Sequence, residues 1–533
     1  MGKTLNILMV AAENDGVKPF LFQGMANSCK VGGMGDVVRD APPALAALGC
    51  KVSVVTPSYG FLGKVPGRAL TGSVSFPFRN RLWEADLYRV PGRRRNKAVR
   101  HFAIDHPVFQ SFDLRTGRYL LYCSDPPHRP YATDANRYAL FCAAVAEAIK
   151  RNLFGRIDVI HLHDWHTGLF FALREFHSAY RALRSIRTVF TIHNLAYQGF
   201  RPFRGDDSSL ESWYGGEDFA YSEKELADPE MGYLVNPMAA GIRLADAVHT
   251  VSPSYAEEIC RPSYPPAFYG GERLEGDLLR ARDEKRLFGI LNGCEYPTDR
   301  AVPRMDFPEL LNFLKSQTTR ALAGDAAELP TGRLSEWIEK RPEKPHMVLT
   351  SVTRVAQQKV FLIKDPGNRF ESGLQGILED LGEHGVYVLL GTGDPSYTDF
   401  LKYMSRRFDN FVFLEFYSND CAEALYANGD LFIMPSSYEP CGISQMLAMR
   451  DGQPCLIHRI GGLNDTVRDG VDGFSFEGLD AAEKVDNFVL SFREALEIKL
   501  NDPDRWETIR ANASANRFEW KTSVARYLTK LYT

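Results

Sequence analysis

Short runs of consecutive apolar residues alternate along the chain with stretches whose apolar positions recur every three or four residues. The first pattern predicts strands buried on both faces, the second amphipathic helices. Asn6-Ile-Leu-Met-Val-Ala predicts the first strand. A Gly-rich turn follows, then a helix from about Asp36 to Leu48, then the strand Lys51-Val-Ser-Val-Val-Thr, closed by Pro57. Strand, turn, helix, strand is the unit of a parallel sheet. It recurs at Ile157-Asp-Val-Ile-His-Leu, Thr188-Val-Phe-Thr-Ile and Ala247-Val-His-Thr-Val.

The same grammar restarts near residue 345. His346-Met-Val-Leu-Thr-Ser, Val386-Tyr-Val-Leu-Leu, Phe411-Val-Phe-Leu, Asp430-Leu-Phe-Ile-Met and Pro454-Cys-Leu-Ile predict five short buried strands. Residues 296 to 345 hold several Pro, many charges and few strand signals, and suit a hinge. The pattern predicts two doubly wound α/β domains, with ligand in the crevice between them. From Asp504 onward the chain reads as a terminal helix packed on the body through Trp520, Tyr527 and Leu531.

Length and composition narrow the class. At roughly 150 residues per domain, 533 residues suggest about two to four domains. A 44% hydrophobic and 24% charged chain is ordinary for a soluble protein. Sixty-three Lys and Arg against 67 Asp and Glu, a net charge of −4, argue against a general nucleic-acid binder. Apolar stretches such as Ala139 to Ile149 are too short to span a membrane. The first apolar run leads into Glu13-Asn14-Asp15 with no small-residue cleavage site, so it reads as a strand and not a signal peptide. Nine Cys without a C-x-x-C pair suit reduced thiols in a cytoplasmic protein.

Five constellations carry candidate chemistry. Lys30-Val-Gly-Gly-Met-Gly-Asp opens a helix; close glycines, a helix N-terminus and a lysine suit an anion, and a plain tight turn is the other reading. Its spacing matches neither the dinucleotide nor the phosphate-loop fingerprint. His161-Leu-His-Asp-Trp-His166 ends a strand; it could ligate a metal, or His161 and His163 could be structural hydrogen-bonders on one side of the strand. Thr191-Ile-His-Asn-Leu-Ala-Tyr-Gln-Gly199 gathers polar groups suited to hydroxyls, or to its own backbone. Arg354 and Lys359 follow a strand and could clamp a diphosphate. Met434-Pro-Ser-Ser-Tyr-Glu-Pro-Cys-Gly-Ile-Ser444, with Gly461-Gly-Leu-Asn-Asp-Thr466, offers a carboxylate and backbone donors to a sugar.

Taken together, these residues resemble the bacterial glycogen synthases and plant starch synthases, retaining α-glucan glucosyltransferases that use a nucleotide sugar. The matches run in order over about residues 5 to 475: Lys30-Val-Gly-Gly-Met, His163-Asp-Trp-His-Thr-Gly-Leu, Thr191-Ile-His-Asn-Leu-Ala-Tyr-Gln-Gly, Ala245-Asp-Ala-Val-His-Thr-Val-Ser-Pro and Gly289-Ile-Leu-Asn-Gly. They continue through Arg354, Gln358-Lys359, Leu390-Gly-Thr-Gly-Asp-Pro, Glu439-Pro-Cys-Gly and Gly461-Gly-Leu-Asn-Asp-Thr-Val. The resemblance implies two facing Rossmann-like domains of the GT-B type, an acceptor-side domain over 1–296 and a nucleotide-sugar domain over 297–505. A helix over 506–533 would cross back onto the first domain.

The resemblance also implies roles. Lys30 and the amides of Gly32 and Gly33 would face the donor diphosphate; Arg354 and Lys359 would stabilise it as it leaves. His166 would sit by the donor glucose, with Asn194, Tyr197 and Gln198 on the acceptor side or near the glucose. Glu439 would hold glucose hydroxyls, helped by the backbone at Cys441, Gly442 and Ile443. Ser444 would lie near the phosphate, and Tyr417 would stack on the base. The implied donor is ADP-glucose and the acceptor an α-1,4-glucan, with no metal and no cofactor. Nucleic acid and membrane are not expected partners; oligomeric state is not readable from the sequence.

Some positions depart from the family pattern. Val360 stands where Gly is usual, 361–372 is longer and more charged, Pro237 is unusual, Ala239 replaces a common Lys, and Met34 replaces Leu. A same-fold transferase with another nucleotide-sugar donor or a small acceptor is the alternative these departures leave open.

Overall fold

In the computed structural model, which describes residues 4–22, 25–94, 96–114, 117–296, 304–322, 324–340 and 343–533, the apolar runs build two large sheets beside three two-stranded ones. Each sheet belongs to its own unit. The first unit comprises Met1–Ser263, Gly270–Gly293 and Trp520–Thr533; the second comprises Tyr264–Tyr269 and Cys294–Glu519.

The first unit carries a nine-stranded sheet. Its order is Leu287–Gly289, Ala247–Thr250, Arg187–Ile192, Val159–His163, Asn6–Val10, Lys51–Pro57, Val99–Asp105, Arg81–Val90, Ala69–Phe78. The first seven strands are parallel and the last two form an antiparallel hairpin on the edge. The central strands are buried on both faces, which is why they read as unbroken apolar runs. The hairpin alternates buried and exposed residues, a weaker signal that the sequence reading passed over.

The second unit carries six parallel strands in the order Phe411–Leu414, Gly385–Leu390, Met347–Val352, Leu431–Met434, Cys455–His458, Gly473–Phe476. Numbered along the chain this is 3-2-1-4-5-6, the Rossmann order. The sixth strand was not predicted; Gly473 and Ser475 interrupt its apolar run.

Two segments carry more structure than the sequence pattern showed. Residues 296 to 345 are largely helical where they are described. Their described part contains the helices Phe307–Ala321 and Asp325–Lys340, and Phe307, Leu310, Leu311, Leu314, Leu334 and Trp337 pack into the core beneath the second sheet. The first helix opens with a capping box, Asp306 and Glu309, that the Pro-rich composition obscured. Residues 297–303, at the expected domain boundary, lie outside the described residues. The terminal helix is also two elements. Pro503–Ala515 stays with the second unit, its Trp506 and Ile509 in that core. The returning segment begins only at Trp520. Asn516 ends the earlier helix, and its side chain donates to Asp472. Within the first unit the returning segment is fixed by Ser523 Oγ on the Leu291 carbonyl (2.6 Å), by Arg187 Nε on the Leu531 carbonyl (2.7 Å) and by Tyr532 on His161 (2.8 Å).

The departures from the family pattern are absorbed by packing. Pro237 occupies the first turn of helix Pro237–Leu244, capped by Asn236, where its missing N–H costs nothing. Ala239 and Val360 are buried. In the 365–372 loop the Asp486 carboxylate accepts from the Asn368 and Arg369 amides (3.2 and 3.0 Å). Among the described residues, no helix is long and apolar enough to cross a membrane.

Candidate active site

In open parallel sheets ligands bind beyond the strand C-termini, where the strand order reverses. In the second unit the reversal lies between Met347–Val352 and Leu431–Met434. The loop after the first carries Arg354 and Lys359; the loop after the second carries Glu439. Lys359, in the first turn of helix Gln357–Lys364, forms an ion pair with Glu439. Ser436 Oγ also donates to that carboxylate (3.2 Å). Gln358 Nε2 donates to the Tyr438 carbonyl (2.7 Å) and the Ser437 amide to the Gln358 carbonyl (2.9 Å), stitching the two loops together. Arg354 is exposed and makes no side-chain ion pair among the described residues.

Close glycine packing shapes the carboxylate loop. Gly442 has φ +75°, a conformation side-chain-bearing residues rarely adopt. Gly462 donates its amide to the Glu439 carbonyl (3.1 Å), and a Cβ there would come 2.3 Å from the Cys441 carbonyl oxygen. Gln445 Nε2 holds the carbonyls of Cys441 and Gly442 (3.1 and 3.2 Å). Ile443 is the N-cap of helix Ser444–Arg450. Tyr417 lies after strand Phe411–Leu414, is 63% exposed, and donates its hydroxyl to Asn419 (2.6 Å).

In the first unit the reversal lies at Asn6–Val10, between Val159–His163 and Lys51–Pro57. Here the structure adds a residue the sequence reading missed. The buried Glu13 carboxylate accepts from the amides of Val31 and Gly32 (2.7 and 2.9 Å) and from Tyr122 (2.8 Å). The Gly32 amide, expected to face a phosphate, is thus engaged by a carboxylate. Lys30 Nζ lies 2.7 Å from Asp36. Gly33 begins helix Gly33–Ala47. The signal was an acid directly beyond a predicted strand, read only as the end of the apolar run.

His166 sits in the first turn of helix Trp165–Phe176. Its ring stacks on Trp165 (4.4 Å) and lies against Tyr138 (4.6 Å) and Tyr122 (5.2 Å). Burial pushes its pKa down to about 3, so the ring is neutral. Its buried Nδ1 has no hydrogen-bond partner among the described residues. Asp164 holds the loop from below: it adopts φ 55°, and its carboxylate accepts from the His193 amide (2.7 Å). Burial raises its pKa to about 8.

The other histidines of the motif turn away from a common centre. His161 and His163 stack at 4.5 Å on one side of the strand. His161 bonds Tyr532 and Thr191 (2.8 and 2.6 Å), and His163 bonds His193 (2.9 Å). Among the described residues no group of three His, Cys, Asp or Glu is arranged to hold a metal ion. Gln198 also differs from expectation. Its carboxamide is used inside the fold: Nε2 donates to the Leu195 and Glu272 carbonyls, and Oε1 accepts from Asn236. Asn194 accepts from the Ala196 amide (3.0 Å), and Tyr197 is 53% exposed.

Comparison with known proteins agrees with this architecture. Residues 6–280 match the family model of the starch synthase catalytic domain, and residues 375–491 match that of glycosyl transferases group 1. The chain is 31% identical to a glycogen synthase of Gloeobacter violaceus, over 93% of this chain and 94% of that protein. It is 32% identical to a glycogen synthase of Koribacter versatilis, over 94% of each. Among solved structures it is similar to the catalytic domain of starch synthase IV from Arabidopsis thaliana bound to ADP and acarbose. That likeness has a TM-score of 0.73 at 25% identity and covers 99% of both chains. It shares its fold, at 16% identity and a TM-score of 0.52 over 98% of both chains, with sucrose-phosphate synthase from Thermosynechococcus elongatus. The fold is the GT-B glycosyltransferase fold, and the chain belongs to the starch synthase catalytic-domain family as a glucosyltransferase of the glycogen synthase type.

Proposed function

We propose that this enzyme transfers glucose from ADP-glucose to the non-reducing end of an α-1,4-glucan with retention at the anomeric carbon. The observation that carries the reading is the Lys359–Glu439 pair at the strand-order reversal of the second unit. It joins a cation suited to a diphosphate and a carboxylate suited to sugar hydroxyls. The ADP named with the plant starch synthase structure supports the choice of nucleotide.

In this reading Arg354 and Lys359 bind the diphosphate and answer the charge that grows on it as the glucosyl bond breaks. Glu439 accepts from glucose hydroxyls, with the backbone of Cys441, Gly442 and Ile443 beside it and Ser444 near the phosphate. Tyr417, already exposed, offers a flat face to the adenine. His166 presents its neutral ring to the glucose, where the unpartnered Nδ1 gains a hydroxyl. Lys30, with Gly33, serves the same donor. Asn194 and Tyr197 serve the acceptor side. The leaving group is the donor's own diphosphate, so the reaction needs no further cofactor. Of the positions that leave another donor or acceptor open, 360–372 with Pro237 and Ala239, Val360 and Ala239 are buried.

The test is a donor screen with ADP-, UDP- and GDP-glucose, using glycogen and maltooligosaccharides as acceptors. Elongation of the oligosaccharide from ADP-glucose is the expected result. Transfer from another donor only, or to a small acceptor only, would refute the proposal.

A further inference from the structure

A six-residue tongue, Tyr264–Tyr269, belongs to the second unit although Ser263 and Gly270 on either side belong to the first. The tongue closes on itself through reciprocal backbone bonds between Tyr264 and Phe268 (2.8 and 3.0 Å). Contacts within the second unit hold it there. The Lys484 ammonium donates to the Ala267 carbonyl, and the Tyr269 ring packs on Tyr438 with centroids 5.8 Å apart. Lys484 is a costly fastener: only 8% of it is exposed, and burial lowers its pKa. A lysine so buried needs an acceptor to keep its charge, and the tongue supplies one.

The ring that Tyr269 touches belongs to a residue at the centre of the donor loop. Tyr438 is itself buried and directly precedes Glu439. Its carbonyl accepts from Gln358, the residue before Lys359. Tyr438 therefore links the backbone that carries the carboxylate to the helix turn that carries the cation. A ring packed on Tyr438 limits where that backbone can go, and a shift of about 1 Å at a reacting group costs on the order of a hundredfold in rate.

We propose that Tyr269 is a positioning residue for glucosyl transfer, holding Tyr438 so that the Glu439 carboxylate stays in register with Lys359. Lys484 supports the same role by anchoring the tongue. The proposal rests on the reading of Glu439 as a donor-sugar residue.

The experiment uses the full chain, ADP-glucose and maltooligosaccharides, and compares Tyr269→Ala, Tyr269→Phe, Lys484→Met and Glu439→Gln with the parent. Folding is checked by thermal melting, and kcat and KM are measured separately. Tyr269→Ala should lower kcat roughly ten- to a hundredfold, with the donor KM changed far less. Tyr269→Phe, which keeps the ring, should restore most of that loss, and Lys484→Met should follow Tyr269→Ala. Tyr269→Leu, judged by the same criterion, replaces Tyr269→Ala if the latter does not fold. A folded Tyr269→Ala or Tyr269→Leu with kcat within twofold of the parent, while Glu439→Gln is impaired, would overturn the positioning role. Normal turnover in Glu439→Gln would instead remove the site reading, and this proposal with it.

Discussion

Lys359 and Glu439, eighty residues apart in sequence, form an ion pair whose side chains are only 16% and 7% exposed. Removing either partner would leave the other largely buried without its opposite charge. Lys359→Ala should therefore harm both stability and turnover. Stranding a fully buried carboxylate costs about 3–5 kcal/mol, and the partial exposure of Lys359 makes that an upper bound. Urea denaturation and steady-state kinetics on the same variant would show both losses; unchanged stability would mean that the pair contributes little to the fold.

Arg354 makes the opposite case. It is exposed and makes no side-chain ion pair among the described residues, so Arg354→Ala should change stability by no more than about 0.5 kcal/mol. On the proposed reading turnover should still fall by about 10²–10³, because the cation would act on charge that develops in the transition state. A loss in donor affinity with kcat intact would make Arg354 an anchor only.

The buried histidines predict acid sensitivity. Burial pushes His161, His163 and His193 well below the usual histidine range, His166 to about 3 and His249 to about 4. All are neutral in the fold and take up protons on unfolding, so the stability they contribute is present above about pH 6.5 and lost as pH falls toward 4. Each contributes up to about 1.4 kcal/mol per pH unit in that window. The melting temperature should drop steeply between pH 6.5 and 4, and less steeply in His249→Gln. A flat profile would show that these rings are not held neutral.

Asp164 carries the opposite slope. Its folded pKa, raised to about 8, lies above the usual aspartate value of 3.8, so its contribution is full below about pH 4 and lost as pH rises through 8. Asn retains the acceptor for the His193 amide and tolerates the positive φ. Asp164→Asn should therefore gain stability relative to the parent as pH rises from 6 to 8.5, measured by urea titration at both values. A constant difference would show that the carboxyl titrates normally.

The sequence announced the parallel strands because burial on both faces leaves unbroken apolar runs, as at Asn6–Val10 and Gly385–Leu390. It announced Lys359 and Glu439 because each follows such a run. It did not show their pairing, which depends on the order of strands in the sheet. Glu13 escaped for the same reason: its partners, Val31, Gly32 and Tyr122, lie up to 109 residues away. Gln198 was open to two readings, because an amide suited to a sugar hydroxyl suits a backbone carbonyl equally well. The helix Asp325–Lys340 was hidden by Pro330 inside it.

In the proposed function Glu439 acts on the donor glucose of a glucan-elongating enzyme. The most direct measurement is turnover of Glu439→Gln with ADP-glucose and glycogen, beside the parent protein and with folding verified by its melting curve. Gln gives up the charge and one acceptor while keeping the shape. A carboxylate in that role means a fall in kcat of about 10²–10³ with the fold intact. Near-normal turnover in Glu439→Gln would contradict it.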